Sequence, residues 1–252
     1  SILDQIIKKM IYASLTTIPQ RIKNLNKTIN SLLNQTKKID KIFINIPLHY
    51  LRFKEDIKNT EIPKFDNHKI EILRCEDFGP GTKLLGSLKK IKKDSLVILV
   101  DDDNEYANYM VEKFFYFYNK VPTNAYSFYV HPLGNFGVGQ GADGFAINTN
   151  YLDGIYDFYN KIVKRNDEIF RHDDLWISYF LNKIKKNKIL SLQDHIKRDN
   201  NEKSKLIYKR HSNNPGLIES YGKNLNEAII KRDQIAIKSL KYMDDKTKEL
   251  FF

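Results

Sequence analysis

Three aspartates stand in a row, Asp101, Asp102 and Asp103, followed by Asn104 and Glu105, directly behind the apolar run Leu96–Val100. Carboxylates this close raise one another's proton affinity unless a cation is shared among them. A hard divalent ion such as Mg2+ or Mn2+ resolves the conflict, because it takes oxygen ligands and can bridge to a diphosphate. On an extended segment alternate residues face the same way, so Asp101 and Asp103 are expected to share one target while Asp102 points elsewhere. The competing reading is an acidic turn in which Asp103 caps a helix near Tyr106.

Four further clusters carry chemistry. Thr16-Thr17-Ile18-Pro19-Gln20-Arg21 offers two hydroxyls and a guanidinium fork suited to a phosphate or a base carbonyl, or else a threonine helix cap. Gly79-Pro80-Gly81-Thr82-Lys83 lets backbone approach a ligand and aims Lys83 at a phosphate; its spacing is not that of a Walker A loop. Gly137–Gly144 is too rich in glycine for an ordinary strand connection, and reads either as a ligand-bordering loop containing Asp143 or as a flexible hairpin. Asp173 and Asp174 follow His172 at a predicted helix start, where the helix dipole is expected to lower their pKa. The alternative there is a double N-cap, with Trp176 either in the core or stacked on a sugar ring.

The elements that must position these residues follow from periodicity. Met10–Leu15, Lys41–Ile46, Lys69–Arg74 and Ser95–Val100 read as strands. Between them, Arg21–Leu33 and Lys83–Ile91 carry apolar residues at helical spacing. Strands alternating with helices imply a largely parallel sheet with right-handed crossovers, and such sheets bind ligands beyond the carboxyl ends of their strands. Further on, Asn108–Asn119, Tyr151–Val163, Asp173–Leu181 and Asn224–Leu250 read as helices, and Ala125–Val130, Phe145–Ile147 and Ile189–Leu192 as strands. No domain boundary is visible before about residue 220, so residues 1–220 read as one domain with 221–252 as a helical extension packed on it.

The composition suits a folded protein: 252 residues, 41% hydrophobic and 12% aromatic. No apolar run is long enough to span a bilayer and no signal peptide is visible. Cys75 is the single cysteine, which rules out an intrachain disulfide and suits a reducing compartment. The net charge of +11 is spread along the chain. It answers to a phosphate-bearing small molecule, a nucleic acid or an anionic membrane surface, or simply to a lysine-rich solvated exterior.

An apolar strand running into Asp-Asp-Asp-Asn-Glu-Tyr resembles the DXD motif of GT-A nucleotide-sugar glycosyltransferases. Tyr-Ala-Ser-Leu-Thr-Thr-Ile-Pro-Gln-Arg-Ile at 12–22, with the helix and strand that follow, is similar to the first strand–helix–strand unit of that family. The segment 76–88 is similar to the part that closes over the nucleotide, and 171–181 to the later acidic motif under the acceptor site. The combination, over about residues 10–215, resembles glycosyltransferase domains of large DNA viruses and bacteria.

The resemblance implies a GT-A, Rossmann-like, mixed but mostly parallel sheet flanked by helices. It implies Mn2+ or Mg2+ held by Asp103 and Asp101, with His211 from the C-terminal segment completing the site and Lys209 and Arg210 beside it. Thr16, Thr17, Pro19, Arg21, Lys83, Asp101, Asp102 and Asp143 fall where the family binds the nucleotide sugar, with a UDP-sugar as the default donor. Asp174 or Asp173 falls where inverting members keep the base that takes the acceptor's proton. The acceptor would be a glycan or another hydroxyl compound. The expected location is the cytoplasm (the host's, for a viral chain); the amphipathic tail after about Gly222 reads as acceptor-binding, as a peripheral membrane contact or as a dimer contact.

Two rivals differ in class. A nucleotidyltransferase making nucleotide sugars would carry an early glycine-rich loop with Arg and Lys, and Ser14–Ile22 has no glycine. A basic nucleic-acid-binding domain finds no recognised motif here, and the acids stand where a phosphate backbone would be repelled. A degenerate transferase that binds nucleotide without turnover would share the fold.

Overall fold

The structure is a computed structural model and describes residues 9–196, 207–211 and 224–251. Its chain order is β1 (Ile11–Thr16), α1 (Leu25–Leu33), β2 (Lys41–Pro47), β3 (Ile70–Cys75), α2 (Thr82–Leu85), β4 (Leu96–Leu99) and β5 (Asn104–Tyr106). There follow α3 (Met110–Lys120), β6 (Ala125–Ser127), β7 (Val130–Leu133), β8 (Phe136–Gly139), β9 (Phe145–Asn148), α4 (Ile155–Lys161) and α5 (Asp167–Phe170). The remainder is α6 (Asp173–Tyr179), β10 (Ile189–Ser191), β11 (Tyr208–Arg210) and α7 (Leu225–Phe251). Seven strands form one sheet in the order β10-β6-β9-β4-β1-β2-β3. Its pairings are parallel except around β9, which runs antiparallel to both β4 and β6.

Burial on both faces explains why these strands are nearly continuous in apolar residues. Ile11, Ala13, Leu15, Ile42, Ile44, Ile46, Leu96 and Ile98 point to one face, where they meet Leu25, Ile29 and Leu32 of α1 and Met110, Phe114 and Tyr118 of α3. Tyr12, Phe43, Val97 and Leu99 point to the other, against Leu84, Phe158, Trp176, Tyr179 and Phe180. The alternation is the period of two that a pleated strand imposes. Met243 of α7 is buried in the second of these layers, and Tyr179 donates to Asp244 at 2.8 Å, so the last helix packs on the sheet's own core. No described helix is long and apolar enough to cross a membrane.

Several expected elements differ. The helix foreseen over Lys83–Ile91 is shorter: α2 ends at Leu85, Gly86 lets the chain pass close to Asn45, and residues 86–90 continue as turns. The strand expected over Ala125–Val130 bends at Phe128 and Tyr129 into two. The glycine-rich segment is the β7–β8 hairpin, turned at Gly134 with φ of 62°, followed by a single 3-10 turn over Gly141–Asp143. The segment is thus a hairpin in backbone terms, and its far end, with Gln140 and Ala142, reaches the site.

Candidate active site

A cavity of about 510 Å3 opens where β1 and β4 end, and Thr16, Thr17, Arg21, Lys83, Asp101, Asp102, Asp103, Asp173 and Asp174 all line it. It lies at the carboxyl edge of the parallel strands, where this class of sheet binds ligands.

Lys83 is its central cation. A buried polar knot places it: Ser14 donates to the Lys83 carbonyl at 2.5 Å, Ser14 and Ser87 share a hydrogen bond at 2.8 Å, and Asn45 donates to Ser14 at 2.9 Å. This fastens α2 across β1 and β2, and the lysine side chain runs back toward the acidic turn. Its Nζ lies 2.5 Å from Asp101 Oδ1 and 3.1 Å from Asp173 Oδ2, the latter an ion pair without hydrogen-bond alignment. Burial alone would depress the ammonium, but Asp101, Asp173 and Asp174 outweigh it and hold the lysine well above its ordinary value. Burial likewise pushes Asp101 up, and Lys83 more than reverses it.

Arg21 is the second cation. Its two terminal nitrogens reach Asp102 at 3.1 Å and Asp103 at 2.9 Å, a forked contact suited to guanidinium. Thr17 donates to Asp102 at 2.6 Å and Thr16 to the Asn45 carbonyl at 2.8 Å, so neither threonine caps α1. Asp102, buried, is pushed up to about 6 chiefly by loss of water. Among the protein's own side chains Asp102 and Asp103 share Arg21, and Asp101 turns to Lys83. The physical reason is that β4 ends at Leu99, so residues 101–103 form a turn and the period of two no longer applies. Pro19 sits half-buried in the turn before α1 and does not line the cavity.

The start of α6 adjoins this cluster through the Lys83–Asp173 pair. Ser178 accepts from the Gly139 amide at 2.9 Å, tying the helix to the hairpin, and Asp174 Oδ1 accepts from the Gly141 amide at 2.9 Å. A Cβ on Gly141 would stand 2.8 Å from Lys83 Nζ and 3.3 Å from Asp101 Oδ1. Gly141→Ala is expected to push the ammonium off Asp101 at a stability cost of about 1 kcal/mol. Thermal melts of the variant check the number. The helix dipole was expected to lower the α6 carboxylates, and for Asp174 the structure reverses the sign. Burial comes first and the Asp173 charge second, and together they raise it well above the usual range. Trp176 is fully buried against Tyr159 and Gly81, which settles it in the core rather than on a sugar ring.

Asp143 does not line the cavity; it is 4% exposed. Burial first, and Asp101 second, push it up to about 7. A carboxyl raised in the folded state adds stability below its unfolded pKa of 3.8, and that stability is lost as pH rises through 7. The shift amounts to about 4 kcal/mol at most. Asp143→Asn is thus expected to gain on the parent between pH 4 and 7 and hold its gain above. Melting curves of the pair at pH 4.5 and 8 read this directly, and an equal difference at both would overturn it.

The C-terminal segment does fold back over the acidic turn. β11 pairs antiparallel with β5, and the His211 amide donates to the Asp103 carbonyl at 2.9 Å. The His211 ring, however, is bonded to Thr28 at 2.8 Å through Nε2 and is not on the cavity wall; Arg210 is, with Nε 3.8 Å from Asp103. Residues 212–217 of the same motif lie outside the described residues. Arg52, Arg171, His131, Arg232 and Asp233 also line the cavity. No local sequence signal marks them, beyond Arg52 lying in the loop that follows a strand end.

Among the described residues no three His, Cys, Asp or Glu side chains converge as a metal cage. The donor set nevertheless fits a hard cation. Asp101 and Asp103 both reach the cavity, and Mg2+ or Mn2+ is commonly held by one or two carboxylates together with substrate phosphates. Lys83 and Arg21 now neutralise those same oxygens.

No model of a known protein family matches the chain, and no curated protein matches it. Solved structures do. The chain is similar to the mannosyltransferase PcManGT of Pyrobaculum calidifontis, solved with GDP-Man and Mn2+, at 10% identity, with 95% of this chain and 74% of that one covered and a TM-score of 0.54. It is similar to S. aureus TarS, solved with UDP-GlcNAc, at 13% identity, 96% and 73% coverage and a TM-score of 0.50. A third similarity is to the 2-C-methyl-D-erythritol 4-phosphate cytidylyltransferase of Francisella tularensis, at 15% identity, 73% and 89% coverage and a TM-score of 0.49. The seven-stranded, mostly parallel sheet with its single reversed strand, its flanking helices and its cavity beyond β1 and β4 is therefore a GT-A-type, Rossmann-like fold.

Proposed function

We propose that this chain is a metal-dependent glycosyltransferase that moves a sugar from a nucleoside diphosphate, UDP by preference, to a hydroxyl of a glycan or related acceptor. The supporting observation is one cavity that brings Lys83 and Arg21, set among the acidic turn, together with Asp174, whose proton affinity is raised. Lys83 and Arg21 would answer the charge of the diphosphate, and Thr16 and Thr17 would border the nucleoside. Asp101 and Asp103 would hold Mn2+ or Mg2+, which when bound neutralises the leaving diphosphate. Asp174 would take the proton of the acceptor hydroxyl as its oxygen bonds to the anomeric carbon and the bond to the diphosphate oxygen breaks. For Asp143 and His211, which point away from the cavity, the structure supplies no contact that supports a direct role.

The test is a calorimetric titration of UDP, GDP, CDP and TDP with Mn2+ and again with EDTA, on the parent and on Asp103→Ala. Metal-dependent binding of one diphosphate, lost in the variant, supports the reading and names the donor class. Binding of a nucleoside triphosphate with pyrophosphate release would instead favour the nucleotidyltransferase. No nucleotide bound at all would sink the donor site.

A further inference from the structure

The donor side of the cavity carries cations that are already matched by carboxylates. On the far side the match is only partial. Beyond Asp173 the wall is built by Arg171 and His172 at the head of α6, by His131 on β7 and by Arg232 and Asp233 on α7. Asp233 is the one carboxylate of that arc, and it is already held by His131 at 3.0 Å and by Arg232 at 3.2 Å. Among the described residues no carboxylate lies within ion-pair distance of Arg171, nor of Arg52 across the mouth. Arg171 stands near both Arg52 and His172, and its charge adds to the burial that already disfavours protonation of each. Arg232 acts on His172 in the same way. Asp77 and Asp173 act on Arg52 in the opposite sense, as do Asp173 and Glu168 on His172, and Asp233 holds Arg232 and His131. Arg171 and Arg52 still keep no carboxylate at contact distance among the described residues, and an anion between them relieves their mutual repulsion. Arginine meets phosphate and carboxylate oxygens in a forked, planar contact. The floor beneath is apolar, formed by Leu133, Val138, Leu175 and Ala236, and suits the carbon face of a sugar or polyol.

We infer that the acceptor is anionic: a hydroxyl compound bearing a phosphate or carboxylate group that is gripped by Arg171 and Arg232 while its hydroxyl faces Asp174. This rests on the glycosyltransferase reading, in which the donor's own diphosphate is met by Lys83 and Arg21. The arginines beyond α6 are then surplus to the donor and serve the second substrate.

The experiment uses the full chain and two probes, glycerol 3-phosphate and uncharged glycerol. Each is titrated into protein first saturated with UDP and Mn2+. The phosphomonoester is expected to bind alongside UDP, and glycerol not to bind measurably. Arg171→Gln and Arg232→Gln should each weaken the phosphomonoester about tenfold without releasing UDP. Arg171→Lys should recover part of the loss, and Lys120→Gln, remote on α3, should change nothing. Arg171 is exposed, so its variants test the contact without disturbing the core. Displacement of UDP by the phosphomonoester would assign the arginines to the donor diphosphate and overturn the inference while leaving the donor site standing. Binding indifferent to both arginine changes, or none to the UDP complex, would also overturn it. Failure of UDP to bind in the first step would remove the glycosyltransferase reading itself.

Discussion

Lys83→Met is expected to abolish nucleoside diphosphate binding and to cost about 3–5 kcal/mol of stability at neutral pH, the usual penalty for removing one partner of a buried ion pair. Lys83 is 5% exposed, and its loss leaves Asp101 and Asp173 without the ammonium that bridges them. The sign of the pH dependence follows from both partners. Lys83 is raised in the fold, so its contribution is present below its ordinary 10.5 and lost only above that. Asp101 is lowered, so its contribution is present above its ordinary 3.8 and lost as pH falls through its folded value. The gap between parent and variant should therefore be widest between about pH 4 and 10.5 and close in acid. Chemical denaturation at pH 7 and pH 3 measures it. Adding Asp101→Asn to Lys83→Met should restore much of the stability but none of the nucleotide binding. A double variant that bound UDP as the parent does would show that Lys83 serves the fold alone.

Asp174→Asn is expected to lower kcat by about 10²–10⁴, the usual worth of a positioned general base, and to leave UDP affinity near that of the parent. The asparagine keeps an oxygen for the Gly141 amide, so the loop over the cavity stays in place. Because burial and the Asp173 charge raise Asp174, and because a base must be ionised to act, turnover should rise with pH along a limb set well above the usual carboxylate range. Asp173→Asn removes the like charge beside Asp174 and should move that limb to lower pH. A merely structural Asp173 would leave the limb where it was. A kcat for Asp174→Asn within threefold of the parent (roughly 0.7 kcal/mol in barrier) would remove the base from this position.

Much of the architecture was legible because it follows from local periodicity. The alternation Ile11, Ala13, Leu15 and Ile42, Ile44, Ile46 against Tyr12 and Phe43 identifies strands buried on both faces, and Leu25, Ile29 and Leu32 mark the inward stripe of α1. The acidic turn behind Leu96–Val100 was legible for the same reason: a buried strand must end where charge begins. Polarity of pairing was not. β9 carries the same apolar signal as its neighbours, and nothing in Phe145-Ala146-Ile147 says that it runs antiparallel.

What the sequence determined by itself was the inventory: five clusters of reactive side chains, each at a strand end, a turn or a helix start, in an order that resembles GT-A enzymes. Tertiary structure alone decided which charges meet. Lys83 finds Asp101 and Asp173, and Arg21 finds Asp102 and Asp103, across separations that only the crossovers and the sheet order close. It also decided the sign at Asp174, where a dipole read from helix position lost to burial and a like charge that no local pattern reveals. His211 was turned to Thr28 and Arg210 into the cavity because β11 docks on β5 in one register, and a strand's register selects which face each side chain takes. Spacing along the chain reports faces and caps; electrostatics depends on distance through space and on lost water, and both exist only once the chain is packed.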